Sequence, residues 1–273
     1  MSDVQDQHCE VGFLDLSPHG AQERAIEIRR VDLEAPWRWL SAGWRDLLRM
    51  PRISLGYGAV FSGVSLGLWV ALWGLGWQAL MLPLAGGFML IGPVLAAGLY
   101  EGSRRLEAGQ TVEPGDVNFA GFAAQGQLWL LGLTLMLIYM FWLQIALLLF
   151  MLAFGERPFP PLAEFVPFLL FSLPGVTLLV AGTAIGAALA ALVFAICVVS
   201  APMLMARPVG ISTAIRASVR AALANPEAMA LWAALIAGFT AFGLATLGVG
   251  LVVIFPLIGH ATWHAYRDVV GWH

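Results

Sequence analysis

Charge is what this sequence has least of. Only 11% of its 273 residues are Asp, Glu, Lys or Arg, against about a quarter in an average soluble domain, and 60% are hydrophobic. That balance excludes an ordinary soluble enzyme. The scarcity is concentrated, with no charged residue between Arg52 and Glu101, Asp116 and Glu156, Glu164 and Arg207, or Glu227 and Arg267. Lysine is missing altogether, so all 14 basic residues are arginine. There are two cysteines, Cys9 in a polar tail and Cys197 in an apolar run, which make neither a CxxC pair nor a four-thiolate zinc site. The N-terminus lacks the basic start and apolar middle of a cleaved signal. No glycine loop is followed by GK[ST], and no acid pair, nucleophile–base pair or basic nucleic-acid surface is visible.

Each charge-free run exceeds the roughly 20 residues that cross a bilayer as a helix. Hydrocarbon offers the backbone no hydrogen-bond partner, and the runs lack the alternating polarity of a barrel strand, so helices are expected. The reading is an all-α, polytopic membrane bundle with six spans, about 54–75, 79–101, 127–153, 177–205, 227–245 and 249–267. A polar, mobile cytoplasmic tail over 1–33 precedes a transmembrane domain over 34–273. Within the tail, AQERAIEIRRVDLE is compatible with a short helix. The segment EFVPFLLFSLPG, short and proline-broken, is read as interfacial. On this count thirteen arginines fall on one side and Arg157 alone on the other, which puts both termini in the cytoplasm by the positive-inside rule.

AGWRDLLRMP (42–51) and ASVRAALANP (217–226) share A‑x‑x‑R‑x‑x‑L‑x‑x‑P, each just before a span. Both read as amphipathic helices in the cytoplasmic interface. Trp37, Leu40, Trp44 and Leu47 form the apolar stripe of one, with Arg45 and Arg49 off it. Ile211, Ile215, Val219 and Ala222 form the stripe of the other, opposed by Arg216 and Arg220. Pro51 and Pro226 suit a first helical turn, and Asn225 a cap. Pro93, Pro202 and Pro256 recur near the inner ends of the even spans. The pattern suggests a degenerate threefold repeat of surface helix, outward span and inward span, its middle surface helix around VNFAGFAAQGQ.

RMPRISLGYG, GPVLAAGLYEGSRRLEAG and FPLIGHATWHAYRDVV resemble the bacterial predicted integral membrane proteins grouped as domain of unknown function 2189, from about Val31 to the C-terminus. The resemblance implies a six-helix bacterial inner-membrane protein with no established activity.

His260 and His264, in GHATWHAYRD, stand four residues apart on one helix face. HExxH helices present two imidazoles to a metal at that spacing, but here no Glu lies between them and a haem–copper core would need more than five histidines. A metal completed by Glu101 or Cys197 remains one reading. The preferred one has both rings bonded to carbonyls, headgroups or water where the helix leaves the bilayer, with no metal and no cofactor. Glu101 and Arg104 suit an i, i+3 ion pair beside Arg105. Arg104 and Arg267, aligned in the repeat, suggest a cationic ring that holds anionic phospholipid or only obeys the positive-inside rule. Gln144, deep in span three, is expected to bond a neighbouring helix. Gly63 and Gly67, and Gly182, Gly186 and Ala190, read as packing ridges. The expected function is non-enzymatic: binding of lipid or of a partner subunit, including a second copy, and no nucleic acid. The alternatives are a small transporter or channel for an uncharged or lipid-like solute and a metal- or haem-binding respiratory accessory protein. Buried acids or arginines at mid-bilayer, which ion coupling would want, are missing.

Overall fold

The computed structural model describes residues 26–76, 84, 87, 91–118, 126–155 and 162–272. In chain order the elements are strand β1 (Ile26–Ile28), α1 (Ala35–Arg49), α2 (Pro51–Gly74), α3 (Ala97–Glu107), α4 (Pro114–Asn118), α5 (Gly126–Phe154), α6 (Leu162–Phe171), α7 (Leu173–Cys197), α8 (Ser200–Ala206), α9 (Ile211–Ala224), α10 (Pro226–Ala245), α11 (Leu251–Val269) and strand β2 (Val270–Trp272).

Among the described residues, four helical stretches are long and apolar enough to cross a membrane: Pro51–Gly74, Gly126–Phe154, Leu173–Ala206 and Pro226–Ala245. They coincide with the first, third, fourth and fifth expected spans. Part of the second, 79–83, 85–86 and 88–90, lies outside the described residues. The sixth is a helix, but it carries His260, His264, Arg267 and Asp268 and has twelve of its nineteen residues buried. A helix surrounded by protein on most sides does not need the uniform apolarity of one bathed in lipid.

α11 is the hub, packed by α1, α2, α3 and α10. Small residues let the backbones close on it. A Cβ on Gly43 would stand 2.7 Å from the Ala261 nitrogen and 2.9 Å from the Leu257 oxygen, so any larger residue there pushes α1 off α11. Proline supplies the breaks. Pro51 and Pro226 open α2 and α10, where a missing N–H costs nothing. Pro202 cannot donate to the Val198 carbonyl four residues earlier, and the helix is interrupted at 198–199. Short α6, with Pro167 inside it, ends where Ser172 begins α7 by accepting from the Gly175 amide at 3.0 Å.

Three expectations are corrected. Residues 26–33 are neither helix nor a free tail. Ile26 pairs with Trp272, Glu27 with Gly271 and Ile28 with Val270 in an antiparallel ribbon, and the Arg29 amide extends it to the Val269 carbonyl at 2.8 Å. The period-two sequence Ile–Glu–Ile buries Ile26 and exposes Glu27, which suits a strand once the C-terminus supplies a partner. The remainder of the expected tail, 1–25, lies outside the described residues. Secondly, Asn225 makes no capping bond at α10. Its side chain accepts from the Val31 amide at 2.8 Å and donates to the Arg29 and Ala221 carbonyls, tying the N-terminal segment to the α9–α10 corner.

Thirdly, the apolar stripes are rotated. α1 buries Trp39, Leu40, Gly43, Asp46 and Leu47 and leaves Trp37 and Trp44 48% and 45% exposed. α9 buries Thr213, Ala214, Ala217, Ser218 and Ala221, while Ile211, Ile215, Val219 and Ala222 are half-buried. Each helix sits against a helix rather than a fluid surface, and close helix contact selects small side chains over bulky ones. For the same reason the glycine ridges divide. Gly186 meets the Trp142 ring, whereas Gly63, Gly67 and Gly182 face open space.

Candidate functional site: the two faces of the hub helix

At about 100° per residue, His260 and His264 point almost opposite to Leu251, Phe255, Gly259 and Thr262 on α11. The two faces meet different surroundings.

The histidine face meets one side chain from each of α1, α2 and α3. Ser54 Oγ lies 3.0 Å from His260 Nε2 and Ser103 Oγ 2.9 Å from His260 Nδ1. Ser103 donates to Asp46 Oδ2 at 2.8 Å, and His264 Nε2 approaches the same oxygen at 2.7 Å. Because the Ser103 proton goes to the carboxylate, its oxygen accepts from His260 Nδ1–H, and His260 Nε2 accepts from Ser54. The chain of bonds thus selects one neutral tautomer of His260. Burial works against charge on Asp46, but the hydrogen bonds from His264 and Ser103 outweigh it, holding its carboxyl below the usual carboxylate range. Arg49 stands farther off, 3.8 Å from Asp46 Oδ1 and exposed.

The expectation for His260 is therefore corrected. It is fully buried, held by two serine hydroxyls rather than by water or headgroups, and His264 is the partly exposed member of the pair. Ser54, His260, Ser103 and Asp46 have the order of a nucleophile, base and orienting acid. Ser54 is nevertheless completely buried between helices, so the arrangement clamps four helices rather than offering a hydroxyl to a substrate. Among the described residues, no group of three His, Cys, Asp or Glu side chains could hold a metal ion. Asp46 was missed in the sequence because it adjoins Arg45 in a segment read as an amphipathic helix at the membrane interface. Its position in the series Trp39, Leu40, Gly43, Asp46, Leu47 was the available signal.

Around this clamp lies a rim of ion pairs. Glu101 accepts from Arg104 at 2.6 and 2.7 Å and from Arg105 at 2.8 Å, and Arg105 also reaches Asp116 at 2.9 Å. Arg267 pairs with Glu107 at 3.0 Å, which accepts in addition from Trp263 Nε1. Trp39 Nε1 donates to Asp268 at 2.9 Å. The two arginines expected to form a cationic ring are thus each engaged by a glutamate, while Arg45, Arg216 and Arg220 stay on exposed faces.

The other face of α11 borders a cavity of about 490 Å³, enclosed by Leu251, Phe255 and Ile258 together with the ends of α3 and α7 and the middle of α10. Its few polar groups are the side chains of Tyr100, Cys197, Thr240 and Thr262. Of these Thr262 is already spent on the Ile258 carbonyl at 2.7 Å. Ala187, Ala190 and Ala191 of α7 and Ala234 and Ala237 of α10 line it and are themselves exposed, so the cavity continues to the bundle surface between α7 and α10. Gln144, expected to face protein, instead lies on the exposed side of α5.

A bundle with four apolar helices of spanning length around an enclosed hub is a helical integral membrane protein. Residues 80–206 match the model of the family described as predicted integral membrane protein, domain of unknown function 2189. Of the three segments that carried the resemblance, GPVLAAGLYEGSRRLEAG lies inside this match and the other two outside it. No curated protein and no solved structure matches the chain.

Proposed function

We propose that this is a six-pass, non-enzymatic membrane protein that takes one lipid-like apolar chain from the bilayer into the cavity beside α11. The cavity is the observation that carries the reading. Its volume falls within the roughly 300–1,000 Å³ of ligand sites, and such sites combine apolar walls with a few polar groups. The open flank between α7 and α10 faces the direction from which a lipid chain would enter. Small alanines on that flank leave the width that an acyl chain needs.

Two further spans complete the topology. α10 and α11 are joined by the tight turn 246–250, with Leu247 and Gly248 at positive φ, so α11 returns antiparallel to a helix of spanning length. The arginine distribution supports cytoplasmic termini, and the pairing of β1 with β2 brings both ends of the described chain together. The threefold repeat draws support from two observations. Met50 and Asn225, at corresponding places, have nearly identical backbones, φ −132° with ψ 58° and φ −132° with ψ 54°. Moreover two surface helices rest on the inward helix of the preceding unit, α9 on α7 and α8 and α1 on α11; the middle one, around VNFAGFAAQGQ, lies mostly outside the described residues. In this arrangement exposed Trp37 and Trp44 suit the membrane interface, and Arg45, Arg49, Arg216 and Arg220 suit anionic phospholipid headgroups.

The test is native mass spectrometry and lipid extraction on protein purified in mild detergent. A bound apolar chain at about one per protein is expected, reduced at least tenfold by Ala190→Trp or Ala237→Trp with the melting temperature unchanged. Equal lipid content in the filled and unfilled proteins rules the site out. Solute flux in liposomes, blocked by the same substitutions, would favour the transporter reading instead.

A further inference from the structure

α5 has two unlike sides. Leu128, Leu131, Leu135 and Tyr139 are buried, and Trp142 meets Gly186 of α7. On the opposite side run Leu130, Thr134, Leu137, Phe141, Gln144, Leu148 and Met151, separated by alternating steps of four and three. All are exposed except half-buried Thr134. Steps of four and three repeat every seven residues, the spacing that lets two helices keep one seam in contact along their length.

Lipid alone would accept the leucines, methionine and phenylalanine of this stripe. It does not accept Gln144. The helix has 29 residues, and a bilayer core takes about 20 of them, which puts Gln144 within the hydrocarbon, short of the reach of either interface. Thr134 solves the same problem by donating to its own Leu130 carbonyl at 2.8 Å. The Gln144 carboxamide has no hydrogen-bond partner among the described residues, and an unpaired amide in hydrocarbon is unfavourable.

We infer that the stripe is the contact face of a homodimer in which α5 of one copy packs along α5 of a second, with the two Gln144 side chains hydrogen-bonded to each other. Three features favour a second copy over an unrelated partner. Copies inserted in the same orientation are related by a twofold axis along the membrane normal, so their α5 helices run parallel and equal residues meet at equal depth. A carboxamide both donates and accepts, so two of them satisfy each other across that axis by reciprocal bonds. A single polar residue in an otherwise apolar heptad seam also fixes register, since any slip leaves both amides unpaired.

The test is cysteine cross-linking in native membranes, in a full-length chain with Cys9→Ser and Cys197→Ala. Leu137→Cys and Leu148→Cys, each introduced alone, should give disulfide-linked dimers, and Val64→Cys on the exposed side of α2 should not. Gln144→Leu should lower the cross-linked fraction severalfold, and Gln144→Asn should restore most of it. Positions 64, 137, 144 and 148 are exposed, so these variants fold like the cysteine-free parent, which the melting temperature verifies. Single-molecule photobleaching in liposomes should show two-step traces for the parent chain and a shift to one-step traces for Gln144→Leu. Cross-linking at position 64 equal to that at 137 and 148, its absence at all three, or indifference to Gln144→Leu would each overturn the dimer. Labelling of Leu148→Cys by a membrane-impermeant maleimide would overturn it too, by putting the stripe in water.

Discussion

On one side of α11 five side chains from four helices are joined by hydrogen bonds; on the other, reached by Gly259 and Thr262 within two residues of His260 in the chain, a cavity of about 490 Å³ is walled by alanine, isoleucine and phenylalanine. The difference assigns the two faces different work. Ser54, Ser103, Asp46, His260 and His264 hold α1, α2, α3 and α11 in one register, because a buried donor or acceptor without its partner is strongly unfavourable. Among the described residues the cavity face has no such network between helices, so its helices can part slightly or accept an apolar guest at little cost. A rigid hub beside a yielding pocket is the arrangement that the proposed binding of an apolar chain needs.

The comparison breaks most sharply at Asp46. Asp46→Ala leaves His264 and Ser103 without their shared acceptor, and thermal melting in detergent should register a loss of about 3 kcal/mol, in the manner of a buried pair that loses one member. Asn225→Ala frees the segment at Arg29 and Val31 from the α9–α10 corner and should cost about 1–2 kcal/mol. Hydrogen exchange would report it as faster opening of the β1–β2 ribbon while α11 stays protected. Ser54→Ala removes one neutral hydrogen bond from the histidine face and should cost about 1 kcal/mol. Thr262→Val, on the cavity face and bonded only to its own helix, should stay within about 0.5 kcal/mol. If the last two variants proved equal, the contrast between the faces would be lost.

Acidity sharpens the same contrast. A carboxyl whose pKa is lowered on folding contributes stability above its unfolded value, here 3.8, and that contribution disappears as pH falls through the lower folded value. Stability of the parent chain should therefore drop on acidification below about pH 4, measured by melting temperature. Asp46→Asn should flatten that part of the curve.

The exposed Arg38–Asp32 pair, 2.8 Å apart and more than half accessible, marks the lower end of the scale. Arg38→Ala should change the melting temperature by no more than surface pairs usually do, about 0.5 kcal/mol or less.

Much of the architecture was legible because solvent imposes it. Long runs without charge give four spanning helices whose ends agree with the structure to within a few residues, and Pro51 and Pro226 mark two of their starts. The clamp was half legible. His260 and His264 could be singled out, since polar residues are rare in such runs, but their partners lie 157 to 218 residues away, and no local pattern reports a contact over that distance. Trp37 and Trp44 could be read as an interfacial stripe, but that α1 meets α11 through Gly43 could not, because bulk and apolarity do not report a close backbone contact. Gln144 misled because a polar residue in a membrane helix is expected to find a partner within its own chain.

Composition by itself determined that this protein lives in a bilayer, because the cost of burying charge or unpaired backbone in hydrocarbon is large enough to be written into every spanning segment. Tertiary structure alone decided which face of each helix is inward, that the N-terminal strand closes on the C-terminus, and that α11 separates a hydrogen-bonded clamp from an apolar cavity. Those outcomes depend on close contact between residues far apart in the chain, where differences of a single methyl group or hydroxyl select the winner.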